Sequence, residues 1–243
     1  MKIIKLNAID STNSYLKDLN KNAPVEDALV VIAKRQMNGR GQMGANWQSN
    51  EGKSLTFSVF KRFSKLSISD QSKVTFAVAV AIKRALEKFN IPEVSIKWPN
   101  DIMSYQMKIG GILIENQTKR DRLLTSIIGV GINVNETSFE GLPTATSMRL
   151  STGVSYNIEE VFQKICHYIF EQLDLIQQKE NRKVKDWYES SLFRKDIVSV
   201  FEDVNGQKFN GIIRGVTESG ELVLETELGT QVKYLLKQLK MLL

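Results

Sequence analysis

The sequence contains very few of the side chains that most often carry catalysis or bind metals. It has one cysteine, Cys166, and one histidine, His167, among 243 residues. A single cysteine excludes a disulfide within the chain, and the two residues cannot supply the ligands of a Cys/His zinc site. Any Ser-His or Cys-His mechanism would have to use His167, because no other imidazole exists.

Long apolar runs are also missing. The sequence has no stretch of about 20 apolar residues, which argues against a membrane-spanning helix. The segment Met1–Asp10 lacks the apolar core and cleavage site of a signal peptide, so we expect a cytoplasmic protein. The 33 Lys and Arg outnumber the 27 Asp and Glu, giving a formal charge of +6. This surplus leaves a nucleic-acid partner open.

The single cysteine and histidine lie in a segment with helical periodicity. Apolar residues recur on one face from Asn157 to about Lys179, with Asn157 as the cap and Glu160 in the first turn. His167 falls on the polar face and Cys166 at the margin of the apolar stripe. Because neighbours in a helix point in different directions, we interpret them as a surface histidine and a half-buried structural thiol.

The remaining chain mixes predicted strands and helices up to about Lys195, and only short predicted strands follow. We expect strands at 28–33, 54–60, 94–97, 108–115 and 123–134, and helices at 70–89, 157–179 and 182–190. Four short strand-like runs follow, at 197–201, 208–216, 221–225 and 231–236, separated by glycine turns. The pattern predicts an α+β domain at 1–194 and a small β-barrel at 195–243 packed against it.

The polar segment between the first two predicted strands contains Gly39-Arg-Gly-Gln-Met-Gly44, which matches G-x-G-x-x-G. That dinucleotide motif works only when its last glycine opens a helix. A strand follows here, so we reject a Rossmann site, and no P-loop motif occurs. Two interpretations stay open: the loop amides and Arg40 wrap an anion, or the segment is a surface loop with a solvated arginine.

Polar or glycine-containing clusters also occur at predicted strand ends and before an amphipathic segment. They are Lys97-Trp-Pro-Asn-Asp101, Lys108-Ile-Gly-Gly111, Gly129-Val-Gly-Ile-Asn133 and Ser11-Thr-Asn13. Each has an ordinary structural explanation as a turn, a bulge or a helix cap. Together with Arg40, they indicate a site for an anionic small molecule that uses lysines and amides and no protein nucleophile.

Taken in chain order, the motifs resemble those of the biotin–protein ligases over about residues 1–240: Ser11-Thr-Asn13, Gln36 with Gly39-Arg-Gly41 and Trp47, Lys97 to Asp101, Lys108 to Glu115, and Gly129 to Asn133. The resemblance implies a mixed-sheet catalytic domain of the biotin/lipoate ligase type and an SH3-like C-terminal barrel. It also implies the activity: biotin and ATP, with Mg2+, form biotinyl-5′-AMP and pyrophosphate. Biotin then passes to a lysine of a biotin carboxyl carrier domain, as in acetyl-CoA carboxylase.

The resemblance further implies roles for individual residues. The biotin pocket would comprise Ser11, Thr12, Asn13, Gln36, Gly39, Arg40, Gly41, Gln42, Lys108 and Gly111. The nucleotide would contact Arg40, Trp47, Lys97, Asn100, Lys108 and Asn133. Lys108, Arg40 and Asp101 would be catalytic, and 144–149 would form a second loop around the adenylate. The protein alone is expected to offer no metal site.

Two departures from the family pattern modify these expectations. Gln42, Met43 and Ala45 stand where the family often carries further arginines, so we expect biotinyl-5′-AMP to leave faster than in arginine-rich relatives. The motifs begin at Ser11, without room for the DNA-binding helix-turn-helix of bifunctional relatives, so we expect no DNA binding and no repressor activity. The resemblance also allows a homodimer, which no feature of the sequence decides.

Two other functions compete with this one. A lipoate or octanoate ligase shares the broad fold, although the motifs at 97–101 and 39–41 argue against it. A nucleic-acid-binding module would fit the net charge and the small barrel. The segment 196–243, however, carries five Lys and Arg against six Asp and Glu before Asp196 is added, so the barrel is not basic.

Overall fold

The computed structural model describes residues 1–178 and 183–242. The strands are β1 (Lys2–Ile9), β2 (Leu29–Gln36), β3 (Ser54–Arg62), β4 (Val94–Lys97), β5 (Asp101–Ser104), β6 (Met107–Lys119), β7 (Arg122–Asn133), β8 (Val198–Asp203), β9 (Lys208–Val216), β10 (Leu222–Thr226), β11 (Gln231–Tyr234) and β12 (Leu239–Met241). The helices are α1 (Thr12–Asn22), α2 (Gln71–Glu87), α3 (Met148–Thr152), α4 (Ile158–Gln177) and α5 (Val184–Ser190). The predicted helix end near Lys179, the predicted helix start at Arg182 and the terminal Leu243 lie outside the described residues.

Seven strands form one mixed sheet in the order β1-β2-β3-β7-β6-β5-β4. Strands β1 and β2 are parallel and joined by α1, whereas the other neighbouring pairs are antiparallel. The sequence pattern does not reveal β1, because this edge strand is only partly buried and lacks a regular alternation. It also does not reveal β5, which has four residues and directly follows the turn at Pro99.

Helices α2 and α4 pack on one face of this sheet and form the main core with it. On that face Phe162 of α4 contacts Phe57 of β3 edge to face, with ring centroids 5.3 Å apart. Helix α4 begins as predicted, since the Asn157 side chain accepts hydrogen bonds from two first-turn amides. No helix among the described residues is long and apolar enough to cross a membrane.

The interpretation of Cys166 as half-buried is wrong. Its side chain is 1% exposed, because α4 packs against both α2 and the sheet and its buried face is wider than the predicted stripe. Burial, and to a lesser extent the charge of Glu159, raises the pKa of the Cys166 thiol. His167 is exposed, as the helical periodicity predicts.

Five antiparallel strands form the C-terminal sheet in the order β11-β10-β9-β8-β12. The predicted strand runs correspond to β8–β11, and β12, with three residues, is too short for its alternation to be read. The sheet packs on the first domain: the backbone N–H of Val216 donates to the Glu189 carboxylate at 2.9 Å. In addition, Trp98 Nε1 donates to the Gly220 carbonyl at 2.9 Å. The fold class is confirmed: a mixed-sheet α+β domain with a separate C-terminal β-sheet of SH3-like type.

Candidate active site

Most of the predicted site residues line one cavity on the sheet face that carries α1. The lining comprises Ser11, Thr12, Asn13, Gln36, Arg40, Gly41, Gln42, Trp47, Phe57, Asn100, Lys108, Gly111, Ile112, Leu113, Gly129, Val130 and Gly131. Every residue predicted for the biotin pocket except Gly39 is among them. The motifs therefore converge in space, although they are spread over 120 residues of sequence.

The inner end of the cavity is a network of hydrogen-bonding side chains. The parallel pair β1 and β2 ends beside the start of α1, which brings Thr12 next to Gln36. The backbone N–H of Thr12 donates to Gln36 Oε1 at 2.8 Å, and the Thr12 hydroxyl lies 3.1 Å from the same oxygen. Ser58 Oγ lies 2.7 Å from the Thr12 hydroxyl and donates to Asn13 Oδ1 at 2.6 Å. This end therefore presents fixed donors and acceptors to a ligand.

Two glycines of β7 form part of the cavity floor. A Cβ atom at Gly129 would lie 3.0 Å from Cγ of Asn13, and one at Gly131 would lie 2.8 Å from Nε1 of Trp47. Both approaches are too close for any side chain to fit without displacing its neighbour. The glycines that interrupt this strand therefore let α1 and the indole of Trp47 approach the sheet.

The outer end of the cavity holds two cationic side chains, each paired with a carboxylate. Lys108 Nζ forms an ion pair with Asp101 Oδ1 at 2.5 Å and lies 5.8 Å from the centroid of the Trp47 ring. Arg40 donates to Ser14 Oγ at 3.0 Å and to Glu115 Oε1 at 2.8 Å. Such cations attract carboxylate and phosphate groups.

Strand β6 and the second predicted loop hold Lys108 in place. One extra residue in β6, Ile109, separates the pairs Gly110↔Ile102 and Lys108↔Met103, and such bulges re-aim side chains. The backbone N–H of Lys108 donates to the Thr144 carbonyl at 2.7 Å, and its carbonyl accepts from Thr146 N at 2.8 Å. The segment 144–149 thus lies directly beside the lysine that the resemblance makes catalytic.

The glycine-rich loop folds compactly across the cavity. The backbone N–H of Trp47 donates to the Gly39 carbonyl at 2.8 Å, and Gly41 N–H donates to the Ala45 carbonyl at 2.6 Å. A Cβ at Gly39 would contact the Trp47 carbonyl and come within 3.0 Å of Gln36 Nε2, so Gly39 serves loop packing although it does not line the cavity. The indole Nε1 of Trp47 is buried and has no hydrogen-bond partner among the described residues, which leaves it free to donate to a ligand.

Three residues predicted to contact the nucleotide are placed differently from one another. Asn100 lines the cavity, but its Nδ2 donates to the Ile112 carbonyl at 2.5 Å. Asn133 is buried outside the lining and donates to the Thr146 carbonyl at 2.9 Å. Lys97 lines a different cavity, between the large domain and the C-terminal sheet. Burial lowers the pKa of Lys97, Asp101 raises it, and Lys108 and Lys240 lower it further.

The structure adds two residues to the site to which the motifs assign no role. Ser58 is fully buried and contacts both Thr12 and Asn13. Glu115 accepts from both Arg40 and Asn13. The sequence signal for Ser58 is a hydroxyl within a predicted buried strand. The signal for Glu115 is a charged residue at the end of the run that begins at Lys108. No group of three or more His, Cys, Asp or Glu side chains in 1–178 and 183–242 could hold a metal ion.

Curated relatives cover nearly the whole chain. The bifunctional ligase/repressor BirA of Bacillus spizizenii is 31% identical over 238 residues, which span 96% of this chain and 72% of the relative. The biotin–[acetyl-CoA-carboxylase] ligase of Mycobacterium tuberculosis is 26% identical over 219 residues, spanning 88% of this chain and 80% of the relative.

A solved structure and a family model indicate the same relationship. The biotin protein ligase of Aquifex aeolicus in complex with biotin and ATP is similar with a TM-score of 0.81 and 28% identity, covering 99% of this chain and 98% of that one. Residues 6–133 match the description of the biotin/lipoate A/B protein ligase family. The chain therefore belongs to the biotin/lipoate A/B protein ligase family.

Proposed function

We propose that this protein is a biotin–protein ligase. It forms biotinyl-5′-AMP and pyrophosphate from biotin and ATP, and then transfers biotin to a specific lysine of a biotin carboxyl carrier domain. One observation carries the proposal: a single cavity joins an inner network of hydrogen-bond donors and acceptors to an outer end that holds Arg40 and Lys108. That arrangement suits a ligand with a polar head and a carboxylate tail.

The inner end favours biotin over lipoate or octanoate. A ureido ring offers both N–H donors and a carbonyl acceptor, which match the hydroxyl and amide groups of Thr12, Asn13 and Gln36. A dithiolane or alkyl end would leave those buried polar groups without partners, and such sites discriminate strongly against analogues that lack the polar group. The lipoate alternative is therefore not favoured.

In the first step, a biotin carboxylate oxygen attacks the α-phosphorus of MgATP, and the bond from that phosphorus to the bridging oxygen breaks to release pyrophosphate. Both reactants are anionic, so the positive charges of Lys108 and Arg40 offset their repulsion. Asp101 orients the Lys108 ammonium through the 2.5 Å ion pair. Trp47 covers the nucleotide end and offers its unpartnered Nε1–H to the adenylate.

In the second step, the neutral amine of the acceptor lysine attacks the acyl carbon of the mixed anhydride. The bond from that carbon to the phosphate oxygen breaks, AMP leaves, and the amide nitrogen loses a proton to solvent. The enzyme forms no covalent bond with biotin, so this step requires no nucleophile from Cys166. His167 is exposed on α4 and does not line the cavity. Positioning of the amine supplies the main rate advantage in such a transfer.

We extend the proposal to partners and location. The acceptor is a carrier domain of acetyl-CoA carboxylase or a related carboxylase, and the use of ATP accords with a cytoplasmic enzyme. DNA binding is not proposed, because the segment 196–243 carries five Lys and Arg against seven Asp and Glu and is therefore not basic. A salt-sensitive shift of DNA by micromolar protein would oppose this view.

Exchange of labelled pyrophosphate into ATP tests the proposed function. We expect exchange that depends on biotin and that stays at background with lipoate or octanoate. Exchange supported by lipoate or octanoate and not by biotin would contradict the assignment to biotin.

A further inference from the structure

Glu115 does not line the cavity, but its carboxylate contacts two residues that do, Asn13 and Arg40. Its Oε1 accepts hydrogen bonds from Arg40 at 2.8 Å and from Lys17 at 3.3 Å. Its Oε2 accepts from Asn13 Nδ2 at 3.0 Å. One carboxylate therefore contacts a cation from the glycine-rich loop and an amide from the start of α1.

The contact with Asn13 fixes the direction of that amide. Because Nδ2 points to Glu115 and to the Leu113 carbonyl, Oδ1 points to Ser58, which donates to it at 2.6 Å. Ser58 in turn accepts a hydrogen bond from the Thr12 hydroxyl, and the Thr12 backbone N–H donates to Gln36 Oε1. The carboxylate is thus the charged end of a hydrogen-bond chain that reaches the innermost part of the cavity.

A carboxylate at this place does not attract the ligand itself. The proposed ligands carry a carboxylate and phosphates, and the negative charge of Glu115 repels these groups. Burial alone would raise the pKa of Glu115, but the hydrogen bonds from Arg40, Asn13 and Lys17 hold it below its ordinary value, so the group is ionised at neutral pH. Its contribution has to pass through the residues that it contacts.

We propose that Glu115 is a positioning residue that holds the Arg40 guanidinium and the Asn13 amide with one carboxylate, and thereby connects nucleotide recognition to biotin recognition. This inference rests on the proposed function for its substrates. Lys17 contacts the same Glu115 oxygen as Arg40, but 52% of its side chain is exposed to solvent. Lys17 is therefore not part of the proposed role.

Two substitutions separate the two contacts. Glu115→Gln keeps an acceptor for Asn13 and removes the charge facing Arg40, so we expect the KM for ATP to rise about tenfold. Arg40 also contacts biotin in the proposed site, but the retained Asn13 network supports biotin binding, so the KM for biotin should rise less. Glu115→Ala removes both contacts, so both KM values should rise about tenfold. The matched control Lys17→Gln should leave both KM values within about twofold of the wild type.

A double-mutant cycle tests whether Glu115 acts through Arg40. In an Arg40→Gln background, Glu115→Gln should not raise the KM for ATP further, since its partner is already absent. A merely structural role would lower the melting temperature without separating the two KM values. Equal changes of both KM values in Glu115→Gln, or full additivity in the cycle, would overturn the inference.

A second measurement decides the inference independently of biotin chemistry. In ligand-free protein, Glu115→Gln should increase the rate of trypsin cleavage after Arg40 several-fold, and Lys17→Gln should not. Unchanged cleavage in Glu115→Gln would contradict the holding role. If the wild type showed no biotin-dependent exchange, the proposed function would fail while this proteolysis result still decided the role of Glu115.

Discussion

Two glycines of β7, two residues apart on the same face, allow the two ends of the cavity to be perturbed separately. Gly131→Ala would place a methyl group 2.8 Å from Nε1 of Trp47, at the proposed nucleotide end. Gly129→Ala would place one 3.0 Å from Cγ of Asn13, at the proposed biotin end. Each substitution adds a single carbon and no charge.

The expected magnitudes follow from the contacts. Overpacking costs about 1–3 kcal/mol when the neighbour has to move. For Asn13, movement also lengthens the 2.6 Å hydrogen bond from Ser58, and a bond of this kind contributes about 1 kcal/mol net. We therefore expect Gly131→Ala to raise the KM for ATP about tenfold with little change in the KM for biotin. Gly129→Ala should raise the KM for biotin about tenfold with little change in the KM for ATP.

Biotin-dependent pyrophosphate exchange, with each substrate varied in turn, measures both constants. The two variants are matched controls for each other, because they alter the same strand by the same group. Thermal unfolding checks that both remain folded. If both variants raised the same KM, or both constants equally, the assignment of the two ends of the cavity would be refuted.

Further predictions concern stability and retention of the intermediate. Burial raises the pKa of Asp70, but hydrogen bonds from Lys73 and Ser67 lower it to about 2, from an ordinary 3.8. The ionised Asp70 carboxylate therefore stabilises the fold above about pH 4, and this contribution is lost as the pH falls towards 2. The melting temperature of Asp70→Asn should lie below that of the wild type at pH 6, and the two should converge near pH 2. Gln42 lines the cavity without a positive charge, so Gln42→Arg should slow the release of labelled biotinyl-5′-AMP, as measured by filtration; unchanged release would count against the expected leakage.

The sequence predicts which residues come together at one cavity better than it predicts some of the elements around them. The spaced motifs identify ten biotin-pocket candidates, and nine of them line the cavity. Periodicity also predicts α4, because twenty residues of regular burial leave a strong pattern. Short or edge strands such as β1, β5 and β12 escape this reasoning. Strands β5 and β12 have only four and three residues, and β1 is partly exposed without a regular alternation.

Contacts between distant segments cannot be read from local patterns. Glu115 and Asn13 are 102 residues apart, and Ser58 and Asn13 are 45 apart, so only the folded sheet reveals that they meet. Asn133 illustrates the opposite case: its motif suggests a ligand contact, whereas its amide donates to the backbone of the second loop at Thr146. A motif predicts proximity to a site and leaves open whether a side chain faces the ligand or the scaffold.

Transfer of labelled biotin to a purified carrier domain tests the central claim most directly. The wild type should label one lysine of the carrier in an ATP-dependent reaction. Lys108→Ala removes the cation paired with Asp101 at the outer end of the cavity and should slow labelling about 10²–10³-fold. Full-rate labelling by Lys108→Ala would contradict the role of this lysine, and absence of labelling by the wild type would contradict the proposed activity.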